Sequence, residues 1–292
     1  MDLVFHTQDG TPLGAQLHGD PATARAGVVI APAMGVSQRF YADFAAWLGQ
    51  HGFAVLSFDY RGMGASRPAR FKQSLRGFHA DVTTWAERDA ADAFGHLARL
   101  LDTHGPAGRP VHWLGHSLGG QILGLLPDPH RARLGRAVTV ATGSGYWREN
   151  VPQLKRVVWA LWYLIVPVAL RVSGYFPGRT LRKVGDLPAG VMAQWRRWCL
   201  SPDYLMGEGG DAWRTRYAAL TQPMLCFSFT DDELMSRRNI DALHAFYAQA
   251  PRDMRRIAPQ DIGERAIGHF GFFRPRFQGS LWPQVESFLC AA

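Results

Sequence analysis

The segment GHSLGG at residues 115–120 has the residue types and spacing of an activated serine. It directly follows the apolar run VHWL at residues 111–114, which predicts a short buried strand. Gly115 and Gly119 each lie two residues from Ser117, and a sharp strand-to-helix turn needs glycine there because a Cβ would collide with the neighbouring strand or helix. The same letters also occur in ordinary glycine-rich loops. In this context they predict that Ser117 is a nucleophile presented at a strand tip.

A serine hydroxyl is a poor nucleophile until a base takes its proton, so a histidine is needed. Of the 11 histidines, most fall inside predicted helices, strands or turns with no special setting. His269 differs because it lies in IGHFGFF, residues 267–273, a loop with glycines and aromatic residues after the last predicted strand. These neighbours favour a tightly held ring. We therefore predict that His269 is the base.

The base in turn needs an acid, and a carboxylate cluster follows the predicted strand at residues 224–229. The sequence there is TDDELM, residues 230–235, which places three carboxylates at one strand tip. One of them can instead be a helix N-cap or a solvated turn residue. We predict Asp232 as the acid, with Asp231 as the alternative, and Glu233 is the least favoured.

Two motifs together carry a resemblance to a known family. The order Ser117, Asp232, His269 is the order described for α/β-hydrolases. The segment FDYRGMGAS, residues 58–66, resembles the D-x-R-G-x-G-x-S turn that follows the fourth strand in such enzymes. Over nearly its whole length the chain resembles the lidded α/β-hydrolases, similar to the branch that holds monoglyceride lipases and prolyl-type aminopeptidases. The resemblance implies an α/β-hydrolase fold, and Asp59, Arg61 and Ser66 would build the turn rather than take part in chemistry.

The resemblance also implies an oxyanion hole made of two backbone N–H groups. One belongs to Leu118, directly after the nucleophile, and the other to Met34 in the loop after the third strand, with Ala33 as an alternative. The chain departs from the family here, because Pro32 and Ala33 stand where the family usually has His-Gly. Backbone donors do not require that histidine. Met34 can also be read as a side chain that only fills the core.

Other chemistry finds little support in the sequence. His112 and His116 have the spacing of a metal-binding pair, but zinc pairs at this spacing belong on a helix. These two lie on a predicted strand without a nearby third ligand, so no metal is predicted and His116 is expected only to pack. The segment GMG at residues 62–64 lacks the third glycine of a dinucleotide-binding loop. We predict no cofactor.

The spacing of apolar residues predicts an α/β fold with one insertion. Predicted strands at residues 3–6, 14–18, 27–31, 54–58, 111–114 and 137–141 alternate with helices at 40–50, 81–104 and 117–126. A strand at 224–229, a helix at 236–250, a strand at 254–257 and a helix from about residue 280 follow. Strands that are almost continuously apolar favour a mostly parallel sheet covered by helices on both faces. Residues 143–221 are rich in tryptophan and arginine without a clear strand, and they predict a helical lid between core segments 1–142 and 222–292.

Composition limits the partners and the compartment. The net charge of +8 comes mostly from scattered arginines, and with no nucleic-acid-binding motif we predict no nucleic-acid partner. Three distant cysteines and an N-terminus unlike a secretion signal favour the cytoplasm. The longest apolar run, residues 157–170, is too short to span a bilayer and predicts a buried or interfacial lid helix. Stable membrane insertion is not expected, whereas peripheral membrane contact remains open.

The sequence therefore predicts a cofactor-independent serine hydrolase that cleaves a carboxylic ester, or else a thioester or amide. The aromatic residues of the insertion favour a small-molecule acyl substrate with an apolar group. An acyltransferase that uses the same triad is the alternative. A binding protein without catalysis is less favoured, because no triad residue is missing. Oligomeric state cannot be read from the sequence.

Overall fold

An eight-stranded sheet forms the centre of the computed structural model, which describes residues 1–181 and 184–291. Its spatial order is β1-β2-β4-β3-β5-β6-β9-β10. Strand β2 runs antiparallel to both of its neighbours, and all other neighbouring pairs are parallel. The mostly parallel sheet is therefore confirmed. The strands are β1 Asp2–His6, β2 Pro12–His18, β3 Ala26–Ala31, β4 Phe53–Phe58, β5 Val111–His116, β6 Leu134–Val140, β9 Met224–Phe229 and β10 Arg252–Ile257, with a separate short pair, β7 Tyr175–Phe176 and β8 Leu187–Pro188.

Helices connect the strands and cover the sheet. Short π-helical stretches, Trp85–Ala90 and Leu161–Ile165, join α2 to α3 and α6 to α7. The helices are α1 Ala42–Gln50, α2 Val82–Thr84, α3 Ala91–His104, α4 Leu118–Gln121, α5 Asp128–Arg131, α6 Pro152–Ala160, α7 Val166–Ser173, α8 Ala189–Leu200, α9 Met206–Ala218, α10 Arg237–His244, α11 Gly268–Gly271 and α12 Trp282–Cys290.

Each central strand contributes side chains to two hydrophobic cores, one on each face of the sheet. Successive side chains of a strand point to opposite faces. In β3, Val28 and Ile30 pack into the core that contains Trp47 of α1 and Trp282 of α12. Val29, between them, packs into the opposite core with residues of α3. Both faces are therefore covered, which is why parallel strands read as continuous apolar runs.

The helix predicted over residues 117–126 is wrong in length, since α4 ends at Gln121 and a 3-10 turn follows at Leu123–Leu125. A continuing α-helix would bond the N–H of Leu125 to the carbonyl of Gln121. That carbonyl instead accepts a hydrogen bond from the Tyr217 hydroxyl at 2.5 Å, and the Leu125 N–H donates to Ile122. A contact from the insertion therefore ends the helix.

The helix predicted over residues 236–250 also ends early, at His244. Beyond it the backbone forms tighter turns with hydrogen bonds between residues three apart. The N–H of Phe246 donates to the carbonyl of Leu243, and the N–H of Tyr247 donates to the carbonyl of His244. The hydroxyl of Tyr247 donates to the carbonyl of Gly120 at 2.9 Å. A hydrogen bond to α4, which is distant in the sequence, therefore holds Tyr247 in the core beyond the end of the helix.

Between β6 and β9 the chain forms helices α6 to α9 together with β7 and β8. The two-residue strands are an addition to the expected mostly helical segment, in which the sequence shows no clear strand. They pair antiparallel, with Tyr175 opposite Pro188 and Phe176 opposite Leu187. Just before β8, the N–H of Gly185 donates to the carbonyl oxygen of Gly35 at 3.1 Å, in the loop that follows β3. The domain boundaries themselves stay a prediction.

The longest apolar run lies within one helix, Pro152–Ser173, which we call the surface helix and which comprises α6, the π-helical stretch and α7. With 22 residues and a mean hydropathy of 1.4, it is long and apolar enough to cross a membrane by length and composition. Only 17% of its most apolar window is buried. The expectation that this segment is too short to span did not foresee that the helix extends beyond the run of residues 157–170. Of the two expected settings, buried or interfacial, the buried one is wrong, because the helix packs inward through one row of side chains only.

Candidate active site

The predicted site residues follow the carboxyl ends of parallel strands. Met34 comes after β3, Ser117 after β5 and Asp232 after β9, while His269 lies in the segment that follows β10. The carboxyl ends of parallel strands meet at one edge of a sheet, which is where open α/β folds form their sites. The topology therefore gathers residues that are far apart in the sequence.

Ser117 lies at a strained turn between β5 and α4. Its φ of 50° and ψ of −111° fall outside the regions that non-glycine residues prefer. A Cβ on Gly115 would lie 2.3 Å from the backbone nitrogen of Gly120, and one on Gly119 would lie 1.9 Å from the carbonyl oxygen of Ala31. The prediction that glycine is needed on both sides of the serine is confirmed. The turn holds Ser117 only 8% exposed.

The ring of His269 lies against the carboxylate of Asp232. Its Nδ1 is 3.1 Å from Oδ1 and 2.9 Å from Oδ2, and both residues are buried. Oδ1 also accepts the N–H groups of Leu234 and Met235, each at 2.8 Å, which fixes the carboxylate. Because an ionised carboxylate only accepts hydrogen bonds, Nδ1 carries the proton in the neutral ring. Nε2 is then the nitrogen able to accept a proton.

The other two carboxylates bind the same segment through its backbone. Oδ2 of Asp231 accepts the N–H groups of Ile267 at 2.8 Å and Gly268 at 3.1 Å. Oε2 of Glu233 accepts the N–H of His269 at 2.9 Å. Among these three acids, Asp232 is the one placed at the imidazole ring.

These contacts also explain a wrong expectation, since His269 lies in the short helix α11 rather than in a loop. The first N–H groups of a helix have no partner within it, and nearby carboxylates stabilise them. Glu233 supplies one such partner at His269. Gly268 adopts a φ of +67°, which a residue with a side chain would adopt only with strain.

His116 does more than pack, which corrects its sequence-based reading. Its Nε2 lies 3.0 Å from the carbonyl oxygen of His269, and its Nδ1 lies 2.9 Å from the hydroxyl of Tyr41. That hydroxyl accepts the N–H of Ala33 at 2.9 Å. All groups are satisfied when Nε2 carries the proton and Tyr41 donates to Nδ1. Burial holds the pKa of His116 well below its usual value, so the ring stays neutral.

This chain of hydrogen bonds links three loops: the one after β3, the serine turn and the histidine segment. Sequence reasoning missed Tyr41, which lies in the 3-10 turn Gln38–Tyr41 before α1. Nothing in the local sequence marks it, because its partners are a residue 75 positions away and a loop backbone.

The contacts of Tyr41 distinguish Ala33 from the other two candidate oxyanion donors, Met34 and Leu118. The N–H of Ala33 is engaged by Tyr41. The N–H groups of Met34 and Leu118 donate to no acceptor among the described residues. Leu118 is the first residue of α4, where the N–H has no partner within the helix. The Met34 side chain is also part of the hydrophobic core, so both sequence-based readings of Met34 are compatible with its position.

The turn at residues 59–66 is held by its own polar side chains. The Asp59 carboxylate accepts the N–H groups of Gln38 and Ala65, each at 2.8 Å. A Cβ on Gly64 would lie 2.1 Å from that carboxylate. The Ser66 hydroxyl donates to the carbonyl of Asp59 at 2.5 Å. Burial raises the pKa of Asp59, and these backbone donors oppose that rise.

Arg61, in the same turn, forms a buried ion pair with Asp89. Its Nε is 2.7 Å from Oδ1, its backbone N–H donates to Oδ2 at 2.8 Å, and its Nη1 lies 2.9 Å from Asp9. These contacts tie the turn to the π-helical stretch that precedes α3 and to the loop after β1. They agree with a structural role for Asp59, Arg61 and Ser66.

His112 lies apart from this cluster. Its Nδ1 accepts the N–H of Arg136 at 2.9 Å, and burial lowers its pKa to about 4. The ring is therefore neutral and partnered by the backbone of β6.

A mostly parallel sheet with helices on both faces, and a serine at a strained turn after β5, define the fold of the α/β-hydrolases. Within that superfamily, the chain belongs to the serine aminopeptidase family S33, whose match extends over residues 22–259. No match was found among curated protein sequences.

Solved structures with the same fold include several lipases and esterases. A soluble variant of the monoglyceride lipase from Saccharomyces cerevisiae gives a TM-score of 0.67 at 13% identity, covering 99% of this chain and 94% of that chain. A carboxyl esterase from Bacillus coagulans gives 0.64 at 13% identity, covering 99% and 97%. The monoacylglycerol lipase of Paleococcus ferrophilus gives 0.60 at 15% identity, covering 95% and 98%. At these identities the likeness concerns the fold.

Proposed function

We propose that this hydrolase cleaves a carboxylic ester through a Ser117-His269-Asp232 triad and an acyl-enzyme intermediate. The observation that carries the proposal is the buried contact between Nδ1 of His269 and the Asp232 carboxylate at 2.9 Å. It lies at the sheet edge where the strained turn presents Ser117. Family membership supports hydrolysis, and the contact supports these particular residues.

The proposed reaction begins when Oγ of Ser117 attacks the ester carbonyl carbon while Nε2 of His269 takes the hydroxyl proton. The resulting oxyanion accepts the N–H groups of Met34 and Leu118. The C–O bond to the alcohol then breaks, and His269 returns the proton to the leaving oxygen. Water, deprotonated by the same nitrogen, then attacks the acyl carbon. The bond from that carbon to Oγ of Ser117 breaks, His269 returns the proton to Oγ, and the acid is released. Asp232 stabilises the imidazolium that forms in both halves.

We further propose that residues 143–221 form a lid that sets specificity for an apolar acyl group. Trp162 and Phe176 of the insertion belong to the same buried cluster as Met34 and Leu118. This large cluster makes that face of the fold apolar, which supports an apolar acyl group. The lipases and esterases of the same fold agree with an ester, and a thioester or amide would pass through the same steps.

A fluorophosphonate probe tests the nucleophile directly, because it labels only an activated serine. The probe should label the wild-type protein and fail on Ser117→Ala. Ser57→Ala is a matched control, since Ser57 is fully buried and its Oγ has no partner among the described residues. Labelling that persists in Ser117→Ala, or is absent from the wild type, would contradict the proposal.

A series of p-nitrophenyl esters of increasing chain length tests the apolar lid. Rates should rise from acetate to longer chains, and equal rates or a preference for acetate would contradict an apolar acyl site. Adding alcohols or thiols as acceptors should leave the product distribution unchanged if water is the acceptor. Efficient transfer to an added acceptor would instead favour the acyltransferase.

A further inference from the structure

The surface helix, Pro152–Ser173, exposes an unusual number of large apolar side chains. Of the 11 exposed large apolar residues in the described part of the chain, seven lie on this helix. Six of these are more than half exposed. A concentration of exposed large apolar side chains on one helix marks a candidate interaction site. The seven residues are Val157 (61%), Trp159 (51%), Tyr163 (54%), Leu164 (59%), Ile165 (40%), Val168 (52%) and Val172 (68%).

The exposed residues fall into rows along the helix. Val157, Leu164 and Val168 are separated by seven and four residues, and Val172 follows four residues later, so they share one face. Trp159 and Tyr163, four residues apart, form a second row. Tryptophan and tyrosine are the side chains that favour the boundary between lipid and water, because each combines an apolar ring with a polar group.

Basic residues accompany this face, and acidic residues are absent from the same stretch of sequence. Residues 150–185 contain no Asp or Glu, and their basic residues are Lys155, Arg156, Arg171, Arg179, Arg182 and Lys183. Lys155 and Arg156 lie near the start of the surface helix and Arg171 near its end, and all three are exposed. Within the described part of the chain none of these three forms an ion pair with an acidic side chain. Their charge is therefore available to an external anion.

The opposite row of the helix excludes a membrane-spanning arrangement in this fold. Val158, Trp162 and Val166 are 4%, 3% and 0% exposed and belong to the core shared with the sheet. Crossing a bilayer would require the helix to leave that core. A helix bound to its own protein on one side can instead lie along a surface with the other side.

We propose that the exposed face of the surface helix docks on an anionic lipid surface, with its apolar rows entering the headgroup region and its basic ends binding the lipid phosphates. Apolar burial and attraction to anionic lipid both contribute to such binding. A symmetric contact with a second copy of the chain would bring the same unpaired cations together. Charge complementarity therefore favours lipid over self-association.

Vesicle flotation tests this proposal independently of catalysis. The full chain carrying Ser117→Ala is mixed with vesicles of phosphatidylcholine alone, or of phosphatidylcholine and phosphatidylglycerol in equal parts. The protein should float with the anionic vesicles and much less with the neutral ones. The double variant Leu164→Asp/Val168→Asp should lower binding by about tenfold or more. Lys155→Glu/Arg156→Glu should lower binding to the anionic vesicles towards the neutral level.

Val4→Asp is the matched control, because Val4 is 63% exposed on β1, outside the surface helix, and its variant should bind like the parent. An unchanged thermal unfolding transition shows that each variant is folded. Three results would overturn the proposal: no binding to anionic vesicles, equal binding by Leu164→Asp/Val168→Asp, or equal binding to both kinds of vesicle. A dimer in sedimentation that Leu164→Asp/Val168→Asp abolishes, without vesicle binding, would assign this face to a second copy.

Discussion

At the scale of single residues, the three adjacent carboxylates after β9 bind one segment in three different ways. Asp232 contacts the His269 ring, Asp231 accepts two backbone N–H groups, and Glu233 accepts the N–H of His269. Three neighbouring carboxylates of similar chemistry thus have different partners, and of these three only Asp232 contacts the ring nitrogen that carries the proton. Only a carboxylate at Nδ1 can hold the tautomer that the proposed mechanism needs.

Amide substitutions separate these roles. Asp232→Asn should lower kcat by about a thousandfold or more, because an amide does not hold the ring tautomer or stabilise the imidazolium. Asp231→Asn keeps an oxygen that can accept the backbone N–H groups, so its kcat should stay within about tenfold of wild type. Steady-state kinetics on a soluble ester measures both. A larger loss for Asp231→Asn than for Asp232→Asn would reverse the assignment.

The residues that the sequence predicted at the site carry local signals, and those it missed do not. Ser117 has glycines on both sides, and Asp232 follows a strand that is easily recognised. Tyr41 has no such signal, because its contacts with His116 and Ala33 arise only after three loops meet. His116 was read as packing for the same reason, since its partner at His269 lies 153 residues away.

At the scale of elements, close approach between backbones decides where the serine turn can form. Gly119 lies so near β3 that a Cβ would be 1.9 Å from the carbonyl oxygen of Ala31. The clash is with backbone, which cannot move aside as the end of a flexible side chain can. Gly119→Ala should therefore lower the free energy of unfolding by about 4 kcal/mol or more, or prevent folding.

Gly279→Ala is the matched control for this prediction. No heavy atom lies within 4 Å of a Cβ at Gly279, and its φ is not in the left-handed region. Its free energy of unfolding should change by less than about 0.5 kcal/mol. Urea unfolding of both variants makes the comparison, and equal stabilities would contradict the close approach.

Element type was easier to predict than element length. The strand pattern appeared in the sequence because buried parallel strands are apolar throughout. The ends of α4 and α10 were not predictable, because Tyr217 and Tyr247 bind carbonyl groups that belong to other elements. The surface helix also extends beyond its apolar run, through polar flanks that continue the helix without adding hydrophobicity.

At the scale of the whole molecule, several histidines are buried without charge. His112 and His244 are 4% and 2% exposed, and burial lowers the pKa of each to about 4. The ring of His244 is held between the carbonyl of Ile240 and the hydroxyl of Thr139, each at 2.8 Å. In the unfolded chain both rings return to their ordinary pKa of about 6.5. Between these two values the unfolded state binds more protons than the folded state.

The contribution of these two rings to the free energy of unfolding should therefore be complete above about pH 6.5. It should be lost progressively as the pH drops towards 4, because the unfolded state takes up protons that the buried rings do not. When the pH is lowered from about 7.5 to about 5, the free energy of unfolding should decrease by about 2 kcal/mol for each of the two rings. His244→Gln should be less stable at neutral pH, because it loses the fitted ring, but its pH dependence should be weaker by about that amount. Urea unfolding across this range measures both effects, with His79→Gln as a variant at an exposed histidine. If His244→Gln and wild type lose stability in parallel as the solution is acidified, the ring of His244 is not buried in its neutral form.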